Sequence, residues 1–265
     1  FPSRGRAHRA FQTAGGMSMQ SVDVSCGSIQ GLPEDAEGFL SPLEAEHYRQ
    51  LSFTTRQQSY LLGRLAGKLL LLQQPGFANL QPREMTILNN PLGVPIALVQ
   101  GEAILGSLSL SHSGDLGVSA YTSTPCFTLG VDAEMLAPRS AALVQDFFTP
   151  REAAFIEMLP AAMQSEWTNR LWSAKEAILK ALSLGLRVDT RQVEILPGNT
   201  PIRTEGWQPL LVQSPLFKAG ACQVFSCREE GFVLSLAVLS QAEYLETFQI
   251  NLREMVLEVP LLLIN

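Results

Sequence analysis

The chain has 265 residues, of which 46% are hydrophobic and 17% charged, and its formal net charge is −6. A chain of this length and composition can bury a substantial core, and its acidic balance excludes the broad basic face that non-specific nucleic-acid binding needs. No apolar run approaches the about 18 residues of a membrane span, so we expect a soluble protein that binds neither nucleic acid nor membrane.

The four cysteines, Cys26, Cys126, Cys222 and Cys227, are scattered without C-x-x-C spacing. This spacing predicts neither a zinc site nor a disulfide framework, and it indicates reduced core thiols in a cytoplasmic protein. Residues 1–20 contain several arginines and no acidic residue. We expect a disordered arm, an expression remnant or part of a targeting presequence there rather than folded structure.

Two helices are predicted early in the chain. The segment Ser41–Glu44, S-P-L-E, places a capping residue, a first-turn proline and a glutamate three residues after the cap, so a helix should run from there to about Leu51. From Thr54 to about Gln74 leucines repeat at helical spacing, and Pro75–Gly76 ends the pattern.

One stripe of the second predicted helix is basic. Arg56, Arg64 and Lys68 lie at multiples of four residues, and Gly63 and Gly67 remove side-chain bulk beside them. The stripe is either a solvated face or a surface on which a ligand approaches the backbone. The pattern alone favours neither interpretation.

Alternating and β-branched runs predict strands along the rest of the chain. The predicted strands are Ser21–Cys26, Glu84–Asn89, Val94–Val99, Ser107–Ser111, Val118–Ala120, a segment from Phe127 to Glu134, Val193–Leu196, Cys222–Cys227 and Phe232–Leu239. Further helices are predicted over Pro138–Phe148, from Thr149 to about Leu159, and from about Glu166 to Gly185. Leu252–Asn265 is apolar enough for a strand or a partner-binding segment. Because strands and helices do not alternate as βαβ units, the predicted fold class is α+β.

Three carboxylates give the strongest chemical signal. Asp132 and Glu134 are two residues apart on a predicted strand, so their side chains project to one side. Glu176 lies on a predicted helix, and Lys180 follows it by one turn. No His or Cys lies close to them in the sequence, so the donor set is all oxygen, which Mg²⁺ prefers. The alternative is that they are solvated charges at the ends of secondary-structure elements.

Adjacent Ser111 and His112 invite comparison with a hydrolase. The G-x-S-x-G elbow is absent, and neighbouring residues on a strand point to opposite faces, which argues against that function. Taken alone, a histidine at the end of a strand is more often structural than catalytic.

Three motifs together carry a family resemblance. S-H-S-G at 111–114, G-V-D-A-E at 130–134 and W-S-A-K-E-A-I-L-K at 172–180 resemble, in order and approximate spacing, the 4′-phosphopantetheinyl transferases of the surfactin-synthetase-activating (Sfp) type. The resemblance covers roughly residues 53–196. It implies two similar subdomains, each a small, mostly antiparallel sheet packed with a long helix, at residues 21–130 and 131–250. A C-terminal tail at 251–265 would follow.

The resemblance implies a reaction. The 4′-phosphopantetheine group of coenzyme A would be transferred to a serine of an apo acyl, polyketide or peptidyl carrier protein, with release of adenosine 3′,5′-bisphosphate. Asp132, Glu134 and Glu176 would hold Mg²⁺, with Mn²⁺ as a substitute, and the ion would bridge diphosphate oxygens and orient the in-line attack. Glu176, directly or through a water, is the expected base. Lys180 is expected either to assist the leaving phosphate or to balance the charge of the metal site.

The same resemblance implies a coenzyme A site. Its expected residues are Arg56, Arg64, Lys68, Ser111, His112, Asp132, Lys175 and Lys180. Guanidinium, ammonium and imidazole groups would contact the phosphates there. The family usually has Gly-Lys-Pro where this chain has Gly93–Val94–Pro95, so one phosphate-binding lysine is missing. Either another basic residue replaces it or coenzyme A is held with one contact fewer.

Two other functions stay open at the level of sequence. A Mg²⁺-dependent phosphohydrolase would also use three carboxylates, and a non-catalytic carrier-protein binder could descend from the enzyme. Carrier proteins are typically acidic, so docking on this acidic chain must depend on local basic or apolar patches. We expect the protein to be a monomer.

Overall fold

The structure, a computed structural model, describes residues 20–198, 206–241 and 248–258. Its α-helices are α1 (Pro42–Arg49), α2 (Thr54–Leu72), α3 (Ala141–Phe147), α4 (Pro150–Met158) and α5 (Ala161–Ala181). Its strands are β1 (Gln20–Gln30), β2 (Met85–Asn89), β3 (Pro95–Val99), β4 (Glu102–Ala103), β5 (Ser107–Ser113), β6 (Leu116–Thr122), β7 (Phe127–Met135), β8 (Glu194–Pro197), β9 (Gln208–Gln213), β10 (Cys222–Glu229), β11 (Phe232–Ser240) and β12 (Phe248–Val256). Across these ranges, none of the helices is long and apolar enough to span a membrane.

Two helices start at the capping signals that the sequence carries. Ser41 and Thr149 each accept a hydrogen bond from the backbone N–H three residues later, that of Glu44 and Glu152 respectively. The two glutamate side chains accept the N–H of the capping residue in return. Because each box satisfies two donors that a helix start leaves unpaired, it fixes where α1 and α4 begin.

The first sheet has the strand order β12-β1-β6-β5, and α2 packs on β5 and β6. β12 runs parallel to β1, whereas the other pairs in this sheet are antiparallel. The C-terminal segment therefore forms a strand as far as Val256, one of the two predicted possibilities. A small third sheet, β2-β3-β4, packs through β2 on α1 and α2.

The second sheet has the order β7-β11-β10-β9-β8 with antiparallel pairs, and α5 packs on β7 and β11. α5 begins directly after Pro160, more than a turn before the predicted Glu166. Strand β9 was not predicted, because Q-P-L-L-V-Q contains Pro209 and does not alternate regularly. The predicted arm lies outside the described residues apart from Gln20, as do residues 259–265 of the predicted tail. Subdomain boundaries at 130 and 250 stay a proposal, and β7 and β12 cross them.

Both halves of the molecule repeat one buried arrangement. Glu44 of α1 pairs with Lys68 of α2, and Glu152 of α4 pairs with Lys175 of α5, with all four side chains fully buried. Each glutamate also accepts the backbone N–H of the strand residue 43 positions later, in β2 and in β8. Because a buried ion must have partners, the same solution at equivalent places marks two related structural units. The predicted α+β fold of two similar subdomains is confirmed.

A row of serine hydroxyls joins the two larger sheets, and we call it the serine seam. β5 and β7 are edge strands of different sheets that lie side by side. The donor–acceptor pairs, from backbone N–H to serine Oγ, are Leu129–Ser107 (2.9 Å), Val131–Ser109 (2.9 Å), Ala133–Ser111 (3.4 Å) and Met135–Ser113 (2.9 Å). Hydroxyls thus take the place of backbone carbonyls along this edge of β7. The serine seam brings the S-H-S-G motif beside G-V-D-A-E.

The cysteines are free thiols. Cys26, Cys222 and Cys227 are buried, as the prediction of core thiols requires. For Cys126 the prediction of a core thiol is wrong, because this residue is exposed in the turn before β7, where its φ is +65°.

Candidate active site

Three carboxylates converge where β7 meets α5. Gly130 has no side chain to hold the strand and the helix apart, so Asp132 and Glu134 of β7 lie close to Glu176 of α5. One oxygen of each carboxylate lies within 4.8 Å of the others. Asp132 is buried and the two glutamates are partly buried. The structure therefore gathers the three acidic residues that the sequence named, and their role as metal ligands stays a prediction.

The two oxygens of Asp132 have different surroundings. Oδ1 accepts hydrogen bonds from the Ser111 hydroxyl at 2.9 Å and from the Lys180 ammonium at 2.7 Å. Oδ2 is buried and has no hydrogen-bond partner among the residues that the structure describes. A buried carboxylate oxygen that receives no N–H or O–H donor is costly, and either a proton on Glu176 or a cation shared with the neighbouring carboxylates can satisfy this atom.

Arg139 holds the carboxylate of Glu134. Its Nη2 donates to Oε2 of Glu134 at 2.5 Å, and its Nε donates to Oδ1 of Asn169 at 2.7 Å. Asn169 is fixed in turn, because its amide nitrogen donates to the backbone carbonyls of Ala137 and Ser165. Burial raises the pKa of Glu134 and the Asp132 charge raises it further, while Arg139 opposes both effects.

Sequence reasoning missed Arg139 and Asn169. Neither belongs to a motif that the sequence analysis recognised, and 30 residues separate them along the chain. One signal was available for Asn169. Helical periodicity places it on the inner face of α5, where it is fully buried, and a buried amide needs hydrogen-bond partners.

The Glu176 carboxyl has a strongly raised pKa. Burial is the largest cause that raises the pKa of its carboxyl, the nearby charges of Asp132 and Glu134 add to it, and Lys180 opposes it, so that the pKa is about 8. A carboxyl with this pKa carries a proton at neutral pH unless positive charge offsets its neighbours. The site thus combines three oxygen donors with a need for further positive charge.

A cavity of about 420 Å³ lies beside the carboxylates, between α2, the β2–β3 hairpin and the end of β5. Its lining includes Arg56, Gly63, Arg64, Ser111 and His112. Gly63 has open space in front of its Cα, as expected if a ligand approaches the helix backbone there. Because Ser111 both lines the cavity and contacts Asp132, the cavity and the acidic cluster are adjacent.

Arg64 reaches the hairpin where Val94 replaces the family's lysine. Its Nη2 donates to Oδ1 of Asn89 at 3.3 Å, and its guanidinium carbon lies 4.2 Å from the centroid of the Tyr60 ring. These contacts fix a positive charge in the cavity wall beside Gly93, which also lines the cavity. Arg64 thus presents a fixed guanidinium to the cavity, on the side of the hairpin that contains Val94.

His112 lies at the end of β5 and lines the same cavity. Loss of hydration among its neighbours lowers the pKa of its imidazole, the Lys180 ammonium lowers it further, and Asp132 opposes them. At neutral pH the ring is therefore neutral, with one N–H donor and one acceptor.

Two predicted coenzyme A contacts, Lys68 and Lys175, are corrected by the structure. Both side chains are fully buried in the ion pairs with Glu44 and Glu152. Lys175 also donates to the carbonyls of Thr190 and Val193, which uses all three of its N–H donors, and Lys68 also donates to the carbonyl of Phe39. Both ammonium groups therefore point into the core rather than toward the cavity. Lys68 follows the cavity residue Arg64 by four residues, which made this buried lysine look like part of the basic stripe, whereas Lys175 was expected at the site through the W-S-A-K-E motif.

Comparisons with known proteins place the chain in a family. A family model described as the 4′-phosphopantetheinyl transferase superfamily matches residues 128–226, which include the three carboxylates and Lys180. A holo-[acyl-carrier-protein] synthase of Streptococcus thermophilus is 31% identical over 102 residues, covering 38% of this chain and 85% of that protein. The chain belongs to the 4′-phosphopantetheinyl transferase superfamily. The resemblance that the three motifs carry is thereby confirmed.

Three further relatives also align with parts of this superfamily member. The 4′-phosphopantetheinyl transferase HetI of Nostoc sp. is 29% identical over 168 residues, covering 62% of this chain and 68% of that protein. The 4′-phosphopantetheinyl transferase psf-1 of Bacillus pumilus is 36% identical over 78 residues, covering 29% and 32%. A Synechocystis sp. protein, named as a candidate member, is 30% identical over 139 residues, and the chain spans only 54% of its length.

Among solved structures, a holo-(acyl-carrier-protein) synthase of Bacillus anthracis in complex with CoA (3′,5′-ADP) aligns over 43% of this superfamily member and 96% of that chain, with 17% identity and a TM-score of 0.36.

Proposed function

We propose that the protein transfers the 4′-phosphopantetheine group of coenzyme A to a serine hydroxyl of an apo carrier protein. The serine oxygen forms a bond to the phosphorus that carries the pantetheine arm, the bond from that phosphorus to the bridging oxygen breaks, and adenosine 3′,5′-bisphosphate leaves. The observation that carries the proposal is the contact between a basic cavity and three converged carboxylates, with Ser111 belonging to both. The named activities of the relatives support it.

The acidic cluster supports a divalent cation, for which we propose Mg²⁺ with Mn²⁺ as a substitute. Asp132, Glu134 and Glu176 would hold it, because all three offer oxygen donors and Asp132 Oδ2 finds no partner in the described part of the chain. Lys180 and Arg139 offset two of the three carboxylate charges, and the remaining charge can be balanced by a proton on Glu176 or by a bound cation. When bound, such an ion supplies charge neutralisation at diphosphate oxygens.

The cavity residues are proposed to bind the phosphates of coenzyme A. Arg56 and Arg64 are the guanidinium groups in its wall, and His112 can donate one hydrogen bond to a phosphate oxygen. Lys180 lies between the cavity and the cluster, with its ammonium 2.9 Å from Ser111 Oγ and 2.7 Å from Asp132 Oδ1. From there it is placed to stabilise the negative charge that develops on the leaving phosphate.

Glu176 is proposed to take the proton of the attacking serine, directly or through a water. A general base works best when its pKa lies near the operating pH, and a divalent cation in the cluster would lower the pKa of Glu176 from the value of about 8 that it has in the metal-free site. Loss of such a base costs about 10²–10⁴-fold in rate.

The test is incubation with coenzyme A, Mg²⁺ and a panel of apo carrier proteins, followed by intact-mass measurement. We expect one 4′-phosphopantetheine per carrier with the wild type, and none with Asp132→Asn or Glu176→Gln. Release of the bisphosphate without any carrier would instead indicate the phosphohydrolase, and binding of carrier that needs neither Mg²⁺ nor coenzyme A would indicate a non-catalytic binder. The expected monomeric state and cytoplasmic location belong to this proposal, and sedimentation of the purified protein tests the former.

A further inference from the structure

Ser111 differs from the other members of the serine seam in what its hydroxyl contacts. Like Ser109, it accepts a backbone N–H of β7. Ser111 Oγ also donates to Oδ1 of Asp132 at 2.9 Å and accepts from the Lys180 ammonium at 2.9 Å. A hydroxyl has one donor and two acceptor sites, so this hydroxyl is fully used. It retains no capacity for a phosphate of coenzyme A, the role that the family resemblance implied for it.

The contacts of Ser111 determine which way the Asp132 carboxylate faces. Oδ1 is held by a hydroxyl and an ammonium that come from β5 and α5, so it is fixed from both sides. The opposite oxygen, Oδ2, then lies in the acidic cluster, buried and without a hydrogen bond from any described residue. A rotation of the carboxylate by about 90° about its last torsion would turn Oδ2 away from the cluster, whereas a rotation of 180° would only exchange two equivalent oxygens. That torsion is broad and weakly restrained by the side chain itself.

We propose that Ser111 is a positioning residue for the acidic cluster, holding Asp132 in the one orientation that presents Oδ2 to a divalent cation. This inference deepens the proposed function and rests on it. Lys180 alone restrains Asp132 less well, because its side chain is about one-third exposed and its ammonium is shared between Ser111 Oγ, Asp132 Oδ1 and the Val131 carbonyl. Groups that orient metal ligands without touching the metal typically change metal affinity by about 10–100-fold.

The serine seam supplies a matched control. Ser109→Ala removes a buried hydroxyl from the same strand and leaves the N–H of Val131 without its acceptor, as Ser111→Ala does for Ala133. In the hydrogen bonds of the described residues, Ser109 contacts no carboxylate and no ammonium. The two variants also leave the net charge unchanged, so a difference between them reports the orientation of Asp132.

The experiment measures Mn²⁺ binding directly, by electron paramagnetic resonance of free Mn²⁺, at fixed pH and ionic strength without coenzyme A or carrier. We expect Ser111→Ala to weaken Mn²⁺ binding about tenfold or more and Ser109→Ala to change it less than twofold. At saturating Mg²⁺, Ser111→Ala should leave the KM for coenzyme A within twofold of wild type. Equal Mn²⁺ affinities of the two alanine variants, or a rise in KM for coenzyme A without a change in Mn²⁺ affinity, would overturn the inference.

Two further variants keep the outcomes distinct. If Ser111→Ala does not fold, Ser111→Cys replaces it, because a thiol is a weak hydrogen-bond donor of similar shape, and wild-type Mn²⁺ affinity in that variant would equally overturn the inference. Asp132→Asn tests the proposed metal site itself. Unchanged Mn²⁺ binding in Asp132→Asn would contradict both the proposed metal site and the inference. If Asp132→Asn weakens Mn²⁺ binding but Ser111→Ala and Ser109→Ala have equal Mn²⁺ affinities, the metal site stands and only the inference about Ser111 is wrong.

Discussion

A Cβ atom on Gly130 would lie 1.7 Å from the carbonyl oxygen of Ala177 and 2.7 Å from the backbone nitrogen of Ala181. Strand β7 and helix α5 therefore touch backbone to backbone. Two residues beyond Gly130 stands Asp132, and one residue before Ala177 stands Glu176, so this contact sets the distance between two members of the acidic cluster. The glycine of G-V-D-A-E is required by that approach rather than by an unusual φ.

Gly130→Ala should therefore damage both the fold and the site. The added methyl group must push α5 away from β7, which we expect to lower the free energy of unfolding by about 3 kcal/mol and to weaken Mn²⁺ binding strongly. Urea denaturation and Mn²⁺ titration measure the two effects. Gly63→Ala is the control, since a Cβ there meets nothing within 4 Å and a helix-interior Gly→Ala change should stabilise by about 0.5–1 kcal/mol. Equal stabilities of the two variants would contradict the close approach.

Glu176→Gln should change how stability depends on pH. The pKa of this carboxyl is about 8 in the folded protein against an ordinary value of 4.5, so between these pH values the folded chain holds a proton that the unfolded chain has released. The stability linked to that proton is fully present below pH 4.5 and is lost as pH rises to 8, at up to about 1.4 kcal/mol per pH unit. Glutamine resembles the protonated acid and does not titrate.

We therefore expect Glu176→Gln to match the wild type near pH 5 and to exceed its stability increasingly toward pH 8, in chelator and without divalent cation. Urea denaturation at several pH values measures the difference. Glu157→Gln, which removes an exposed carboxyl of α4 outside the acidic cluster, is the matched control. A wild type that stays as stable as Glu176→Gln at pH 8 would show that the acidic cluster is not crowded as described.

Lys175→Met should destabilise the protein without changing the KM for coenzyme A. Removal of the ammonium leaves Glu152 buried without its ionic partner, which costs about 3–5 kcal/mol. The double variant Glu152→Gln/Lys175→Met should recover part of that loss, because no buried charge then remains. Lys68→Met, in the repeated pair of the other half, should cost a similar amount in urea denaturation. If Lys175→Met instead raises the KM for coenzyme A and leaves the unfolding free energy unchanged, Lys175 contacts coenzyme A after all.

The parts of the fold that depend on local sequence signals were predicted correctly. The parts that depend on contacts between distant segments were not. The boxes at Ser41 and Thr149 are complete within four residues, so sequence alone places the starts of α1 and α4. The partner of Lys68 is Glu44, on a different helix, and helical spacing on α2 could not reveal it. An amphipathic pattern cannot separate a solvated lysine from a buried one whose partner lies elsewhere in the chain.

The same distinction applies to the site. Period-two geometry on β7 and the helical position of Glu176 predicted which carboxylates would be available to meet, since both depend on local backbone form. The serines of β5 were recognised as a strand pattern, but their role as acceptors for β7 depends on two sheets lying edge to edge. Alternating serine and leucine over residues 107–111 was the available signal, because a strand that buries small hydroxyls on one face must satisfy them there.

His112→Ala should raise the KM for coenzyme A more than the KM for the carrier protein, at nearly constant unfolding free energy. The ring lines the cavity, is exposed, and is neutral at pH 7, so its contribution is a hydrogen bond to a phosphate rather than a full charge. Loss of such a bond to a charged group costs about 1.5–3 kcal/mol, which corresponds to a rise in KM of about 10–100-fold. His112→Asn retains an N–H donor and should recover part of the affinity. Steady-state kinetics with each substrate varied in turn measure both constants, and an equal rise in the two would argue against a phosphate contact at His112.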